Sequence, residues 1–173
     1  MNIEIIPLLI SLIPSLFITL LALYYFKTHT DNEEKRRRFL LHKEHQKQSL
    51  PLRLQAYERM ALFLERISPG KLLLRTPPLG DDKKSYESLL VNTIEQEFDH
   101  NLTQQIYISD ECWNIVKAAK NGTIALIRKT VLKEDVDSAA KMREVMLMTT
   151  VEKGAPSDTA LAAIKSEVED LFS

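Results

Sequence analysis

Residues 5–26 have the sequence IIPLLISLIPSLFITLLALYYF, which contains no charged side chain. An α-helix rises about 1.5 Å per residue, so this stretch would be about 33 Å long, and a hydrocarbon core is about 30 Å thick. Tyr24 and Tyr25 lie at its C-terminal end, where amphipathic rings favour a membrane interface. We therefore predict a transmembrane anchor over residues 1–26, with residues 5–26 in the lipid bilayer.

The basic residues predict the orientation of this anchor. None precedes the apolar stretch, and seven follow it closely: Lys27, Lys35, Arg36, Arg37, Arg38, Lys43 and Lys47. Because basic residues collect on the cytoplasmic side, we expect the N-terminus outside and the C-terminal domain in the cytoplasm. A cleaved signal peptide is the alternative, but it calls for a basic start and a small-residue cleavage site. The sequence offers an acidic Glu4 and Leu-Tyr-Tyr-Phe-Lys instead.

The amino-acid composition argues against several classes of function. The chain has 173 residues and a net charge of −1, and Glu4 is the one charged residue among residues 1–26. The remainder therefore carries 23 basic and 23 acidic side chains, a balance that argues against nucleic-acid binding. One cysteine excludes an internal disulfide, and four scattered glycines form no phosphate-binding loop. Since no catalytic constellation is visible, we expect no enzyme activity and no cofactor.

Residues 27–50 are predicted to form a charged juxtamembrane stalk helix. Their apolar content is confined to Phe39, Leu40, Leu41 and Leu50. Four consecutive basic residues, Lys35, Arg36, Arg37 and Arg38, would follow the anchor by two to three turns. They either contact anionic headgroups, at about 1 kcal/mol per charge near the surface, or serve only topology and solvation.

Residues 51–173 are predicted to form a cytosolic bundle of four or five amphipathic helices, with a loop near 76–84. Apolar residues recur every three or four positions, and no segment alternates with the period of a strand. Pro51 is expected to end or kink the stalk helix. The fold class is therefore all-α, with one N-terminal transmembrane helix, a stalk and a bundle.

Helix boundaries in the bundle are predicted from capping residues. Ser109 is the expected N-cap of one helix, and the apolar pattern continues across Gly122, so that helix should not break there. Asp137 and Ser157 are the expected N-caps of the last two helices.

Few residues of the sequence could bind a metal ion or act as a nucleophile. Glu97 and His100 form one Glu-x-x-His pair, but carboxylate-bridged metal bundles need two such pairs and further glutamates. His42 and His45 share a helix face, yet two nitrogens alone do not make a site. Cys112 follows a helix start that would lower its pKa, and adjacent acidic residues oppose that effect. We predict no metal site, with Glu97 and His100 as the only weak candidates.

Five stretches of the sequence are distinctive: EEKRRRF (33–39), LPLRLQAYER (50–59), NLTQQIY (101–107), ECWN (111–114) and KAAKN (117–121). Together they resemble an uncharacterised family of small single-pass inner-membrane proteins from flavobacteria and related Bacteroidota. The resemblance covers nearly the whole chain. It implies a bacterial inner membrane and carries no activity, cofactor or catalytic residue.

The polar residues around one helix junction are the candidate partner surface: His100, Asn101, Gln104, Gln105, Glu111, Trp113 and Asn114. The alternative is that they only cap and connect two helices. Anchor, stalk and bundle together favour a non-catalytic, protein-binding or accessory subunit that associates with a partner or with itself. A regulator at the anionic membrane surface is the second hypothesis, and a metal-binding redox bundle is the third.

Overall fold

The computed structural model describes the backbone of residues 5–172, and the side chains within that range except those of residues 5–13, 31–32, 42–43 and 45–48. The α-helices are α1 (Ile5–Ile67), α2 (Pro69–Arg75), α3 (Lys83–Asp99), α4 (Asp110–Val131), α5 (Ala139–Lys153) and α6 (Pro156–Asp170). A 3₁₀ helix, Leu102–Ile106, lies between α3 and α4. These residues include no strand, which confirms the all-α fold class for the described part of the chain.

The chain divides into two compact units, Met1–Ser49 (unit 1) and Leu50–Ser173 (unit 2). The predicted bundle begins at residue 51, next to this division. In its described part, unit 2 contains the end of α1 and the five helices α2 to α6. The sequence predicts four or five helices in this region, and the short helix α2 is not among them.

The sequence predicts that Pro51 ends or kinks the stalk helix. The first alternative is wrong, because α1 continues through Pro51 to Ile67. Proline lacks the backbone N–H that would complete one helical hydrogen bond, at a cost of about 3 kcal/mol. The chain nevertheless remains helical on both sides of it. The helix ends instead before Ser68 and Pro69, where Pro69 begins α2.

In unit 1, large apolar side chains of residues 14–26 lie on the surface. Nine of them are 55–74% exposed: Leu16, Phe17, Ile18, Leu20, Leu21, Leu23, Tyr24, Tyr25 and Phe26. Within the described residues, no helix has an apolar stretch of the length needed to cross a membrane. The predicted span begins with residues 5–13, whose side chains lie outside the described ones. The transmembrane anchor therefore stays a prediction.

The core of unit 2 is built around α4, which packs against α3, α5 and α6. Phe98 of α3 stacks on Trp113 of α4 with ring centroids 5.2 Å apart, and Phe63 of α1 lies 5.7 Å from Phe98. Lys120 Nζ lies 4.4 Å from the centre of the Phe98 ring and 2.7 Å from Glu95 Oε2. The aromatic cluster thus joins three helices, and each large apolar side chain buried in it contributes about 1.5–3 kcal/mol.

Two predictions about α4 are confirmed. Ser109 is its N-cap, since the Ser109 hydroxyl accepts a hydrogen bond from the Cys112 N–H at 3.0 Å. The helix also continues through Gly122. A Cβ atom at Gly122 would lie 3.1 Å from Cβ of Pro156, so glycine allows α4 and the start of α6 to approach closely.

The predicted caps of the last two helices are displaced. Ser138, not Asp137, caps α5, and its hydroxyl accepts a hydrogen bond from the Lys141 N–H at 3.2 Å. Helix α6 begins at Pro156, because proline is favoured at the first helical position. Ser157 therefore lies inside the helix and is buried, and it is not a cap.

Candidate functional site: a saturated network and an arginine groove

Glu167 of α6 is the centre of a polar network inside unit 2. Its Oε1 atom accepts a hydrogen bond from the Tyr57 hydroxyl at 2.6 Å and from the Ser109 N–H at 3.2 Å. The Cys112 thiol also donates a hydrogen bond to this carboxylate. Arg53 Nη2 donates to the Tyr57 hydroxyl at 3.1 Å. The network therefore connects the end of α1, the start of α4 and α6.

Burial and hydrogen bonding shift the pKa values of Tyr57, Cys112 and Glu167. Burial, followed by the hydrogen bond to Glu167, raises the pKa of Tyr57 to about 12 and that of Cys112 to about 12. Burial alone would raise the pKa of Glu167, but hydrogen bonds from Tyr57, Cys112 and Ser109 outweigh it and hold the pKa below its usual value. At neutral pH the thiol is therefore protonated and the carboxylate is ionised, which does not favour a nucleophilic cysteine.

A cleft of about 350 Å³ lies beside the network. It is lined by Ser109, Glu111, Cys112, Ile115, Ala163, Ser166, Glu167 and Asp170. Because Glu167 is already hydrogen-bonded to Tyr57 and Ser109, its Oε1 atom is occupied by groups of the protein itself. The network therefore fits a structural connection between helices.

A second polar region, the arginine groove, lies between α1 and the C-terminal end of α3. We define it by Gln55, Glu58, Arg59, Leu62, Phe63, Arg66, Glu97, His100 and Asn101, which surround a volume of about 470 Å³. The α1 members recur every three or four residues and thus share one helix face. Leu62 is 56% exposed and gives the groove an apolar patch.

Glu97 is held by two arginines at the edge of this groove. Its Oε1 atom lies 2.8 Å from Arg66 Nη2 and 3.4 Å from Arg75 Nη1. The Nε atom of Arg66 is buried and has no hydrogen-bond partner within the described chain. Leaving a buried donor without an acceptor costs about 1–3 kcal/mol.

The two weak metal candidates, Glu97 and His100, both line the arginine groove. The Glu97 carboxylate is engaged by guanidinium groups, and the His100 side chain lies on the exposed end of α3. Among the residues that the structure describes, no group of three or more His, Cys, Asp or Glu side chains is arranged to hold a metal ion. His42 and His45 lie outside the described side chains.

The structure separates the residues of the predicted partner surface. His100 and Asn101 line the arginine groove, while Glu111 lines the cleft beside the network. Gln105 and Asn114 are exposed, and Gln104 is half-buried. Trp113 does not fit the prediction, because it is 7% exposed and stacks on Phe98 in the core.

Sequence reasoning missed the α1 side of the groove and the whole Glu167 network. The spacing of Gln55, Arg59, Leu62 and Arg66 was a usable signal, because it places two arginines on one helix face. The Tyr57–Glu167 contact joins residues 110 positions apart, and no local pattern indicates it.

These features describe an all-α protein with a packed helical unit, a saturated polar network and an open charged groove. A family model matches residues 3–171, so the chain belongs to a family of unknown function, DUF7935. The resemblance to an uncharacterised family is confirmed to that extent. A search of curated proteins found no significant match. A search of solved structures found none either.

Proposed function

We propose that this protein is a membrane-anchored helical module that binds a protein partner as a non-catalytic accessory subunit. The observation that carries the proposal is the contrast in unit 2 between its two polar regions. The groups with nucleophile or acid–base chemistry are engaged with one another around Glu167. The arginine groove instead includes the exposed side chain of Arg59, which forms no hydrogen bond or ion pair within the described residues.

Membrane anchorage is supported by residues 5–26, which carry no charge, and by the exposed apolar side chains of residues 14–26. An aqueous environment would leave that apolar surface unfavourably hydrated, and a bilayer would cover it. The basic residues of 27–47 favour a cytoplasmic unit 2. With the resemblance to single-pass proteins of Bacteroidota, we assign the protein to a bacterial inner membrane with its N-terminus outside.

Anchorage is tested by washing membranes with alkaline carbonate, which removes peripheral proteins. We expect the wild-type chain to stay in the membrane. The double variant Leu16→Arg, Leu20→Arg should lose retention, because each charge near a helix centre costs about 2.5–3.5 kcal/mol. The matched control is Leu16→Ile, Leu20→Ile. Release of the wild-type chain by carbonate would overturn the anchor.

Partner binding is tested with the full-length protein, tagged at its C-terminus and extracted from its native membrane in mild detergent. We expect a near-stoichiometric companion that stays bound through gel filtration and is identified by mass spectrometry. Recovery of the chain alone, as a monomer or homo-oligomer, would count against the accessory-subunit role.

A regulator at the anionic membrane surface is the second candidate function. The residues Lys35 to Arg38 are exposed, and Arg38 is paired with Glu34 at 3.0 Å, which leaves a net positive run. We expect flotation of residues 27–173, which lack the proposed anchor, with vesicles to depend on anionic lipid and to weaken at high salt. Equal flotation with neutral and anionic vesicles would exclude it.

A further inference from the structure

Helix α5 has apolar side chains on two opposite faces. The inner face is buried in the core of unit 2 and consists of Ala139, Met142, Val145 and Met146. On the outer face, Leu147, Met148 and Val151 are 40%, 56% and 87% exposed, and we call these three residues the α5 stripe. A helix at the surface of a folded unit normally has polar residues on its outer face, so an exposed apolar stripe indicates a contact surface.

One flank of the α5 stripe is acidic at its N-terminal end. The Lys141 side chain lies on this flank and donates a hydrogen bond to Glu144 at 2.9 Å. That hydrogen bond raises the pKa of Lys141, and the charges of Asp135 and Asp137 add to the rise. Three carboxylates therefore surround one ammonium group, which leaves a surplus of two negative charges. Arg143 lies on the other flank, which faces α3.

The same flank is basic at its C-terminal end. Glu152 follows Lys141 by 11 residues, which is about three helical turns, so the two side chains lie on one side of α5. A groove between α4 and α5 brings Glu152 together with three lysines, Lys129, Lys133 and Lys153. The side chains of these four residues form no hydrogen bond or ion pair within the described part of the chain. This end therefore has a surplus of two positive charges.

We propose that the α5 stripe binds the α5 stripe of a second copy of this chain in an antiparallel pair. A two-fold axis through the stripe places the same flank of each helix side by side, so the acidic end of each copy meets the basic end of the other. The charge surpluses cancel at both ends, and the apolar side chains are covered between them. A parallel pair would place like-charged ends at the same level. This self-association goes beyond the proposed partner binding and does not depend on it.

The mass of the oligomer tests the contact. The purified full chain in detergent micelles is analysed by gel filtration with light scattering at about 1–100 μM, where a weak dimer forms. We expect a dimer whose Kd rises at least about tenfold in Val151→Asp, because a charge would be buried in the stripe. Leu132→Asp is the matched control, since Leu132 is 82% exposed and lies outside the stripe, and it should leave the Kd unchanged. A monomer throughout, or a dimer that Val151→Asp does not weaken, would overturn the proposal.

Charge reversal tests the antiparallel pairing and the identity of the occupant. Asp135→Lys with Glu144→Lys makes both ends of the flank basic, and Lys129→Glu with Lys153→Glu makes both ends acidic. We expect each double variant alone to dimerise at least about tenfold more weakly than wild type. Their equimolar mixture should dimerise with about the wild-type Kd, because opposite charges then meet at both ends. A mixture that stays as weak as the separate variants would contradict the pairing.

A second set of double variants controls for net charge. The same charge changes are made at exposed positions outside the flank: Glu58→Lys with Glu169→Lys, and Arg59→Glu with Lys165→Glu. Each of these variants alone should dimerise like wild type. If they weaken the dimer as much as the flank variants do, the effect is one of general charge and the proposed site is wrong.

Partner recovery from native membranes separates this inference from the proposed function. A monomeric chain that retains a companion protein rejects the self-association and keeps the proposed function, whereas a dimer without a companion does the reverse. If the chain is monomeric and Val151→Asp loses the companion, the α5 stripe binds that protein and the assignment to a second copy is wrong.

Discussion

The Glu167 network and the arginine groove are both polar regions of unit 2, and they differ in how their donors are used. Around Glu167, one carboxylate oxygen accepts from a buried hydroxyl and from a backbone N–H. In the groove, a buried Nε atom and an exposed guanidinium have no acceptor within the described chain. The Glu167 network therefore fits a role in stability, and the exposed guanidinium of Arg59 in the groove is available to a partner.

The largest expected effect concerns the reactivity of Cys112. Raising a thiol pKa from 9.0 to about 12 reduces the thiolate fraction at pH 8 by about three orders of magnitude. We expect iodoacetamide to alkylate the native chain about a thousandfold more slowly than the chain in denaturant, as followed by mass spectrometry. Native and denatured rates within tenfold of each other would show that the network leaves the thiol reactive.

Removing the shared acceptor should have the largest effect on stability. Glu167→Ala leaves the Tyr57 hydroxyl and the Ser109 N–H without their carboxylate, so we expect a loss of about 3 kcal/mol in the free energy of unfolding. Trp113 is the only tryptophan and is buried in unit 2, so its fluorescence in urea reports this unfolding. Glu169→Ala, on the exposed face of α6, is the control and should change stability by less than about 0.5 kcal/mol.

The approach of α4 to α6, which positions this network, is tested at Gly122. Gly122→Leu should destabilise unit 2 by about 2 kcal/mol, because even a Cβ atom there lies 3.1 Å from Pro156 Cβ. Leucine is a better helix former than glycine, so helix propensity alone would give the opposite sign. Gly70→Leu is the control, since a Cβ atom at Gly70 meets no atom within 4 Å. Equal stability of the two variants would contradict the packing argument.

Acid should weaken the network through Glu167. Its pKa is lower in the folded chain than the ordinary value of 4.5, so its stabilising effect is complete above that value and is lost as pH falls through the folded pKa. We expect Glu167→Gln to flatten the loss of stability between neutral pH and pH 3, measured by urea unfolding at each pH. The same acid dependence in both chains would assign it to other carboxylates.

The smallest stability effect is expected in the groove. Arg59 has no hydrogen bond or ion pair within the described residues, so Arg59→Gln should change the free energy of unfolding by less than about 0.5 kcal/mol. The Trp113 fluorescence assay measures this directly. A loss above about 1 kcal/mol would show that the groove, like the network, is a structural element.

The sequence was sufficient for features that depend on neighbouring residues. Apolar spacing predicted the all-α class, and the Ser109 cap and the passage through Gly122 follow from local capping and periodicity. The predicted N-caps of the last two helices were wrong. Ser138 caps α5 in place of the neighbouring Asp137. Pro156 takes the first position of α6, which moves Ser157 inside that helix. The expectation that Pro51 ends a helix was wrong, because the loss of one helical hydrogen bond there does not interrupt α1.

The candidate site was less predictable, because it depends on contacts between distant residues. His100 and Asn101 were expected at a binding surface, but their groove partners on α1 required the packing of α1 against α3. Trp113 was expected at the surface because it lies among polar residues, and its apolar ring instead stacks on Phe98. The pairing of Tyr57 with Glu167 has no signature in either local sequence.

The most direct test of the central claim, that the groove binds a partner and the network only stabilises the fold, compares partner recovery among variants of equal stability. The full-length protein carrying Arg59→Gln or Arg128→Gln is purified from native membranes in mild detergent, and the companion is quantified per mole of tagged chain. Arg128 is the control, because it is exposed outside the groove and its Nε atom lies 4.0 Å from Glu87. We expect about a tenfold loss of the companion with Arg59→Gln and none with Arg128→Gln, while both keep the wild-type Trp113 unfolding midpoint. Equal recovery from both variants would contradict the account.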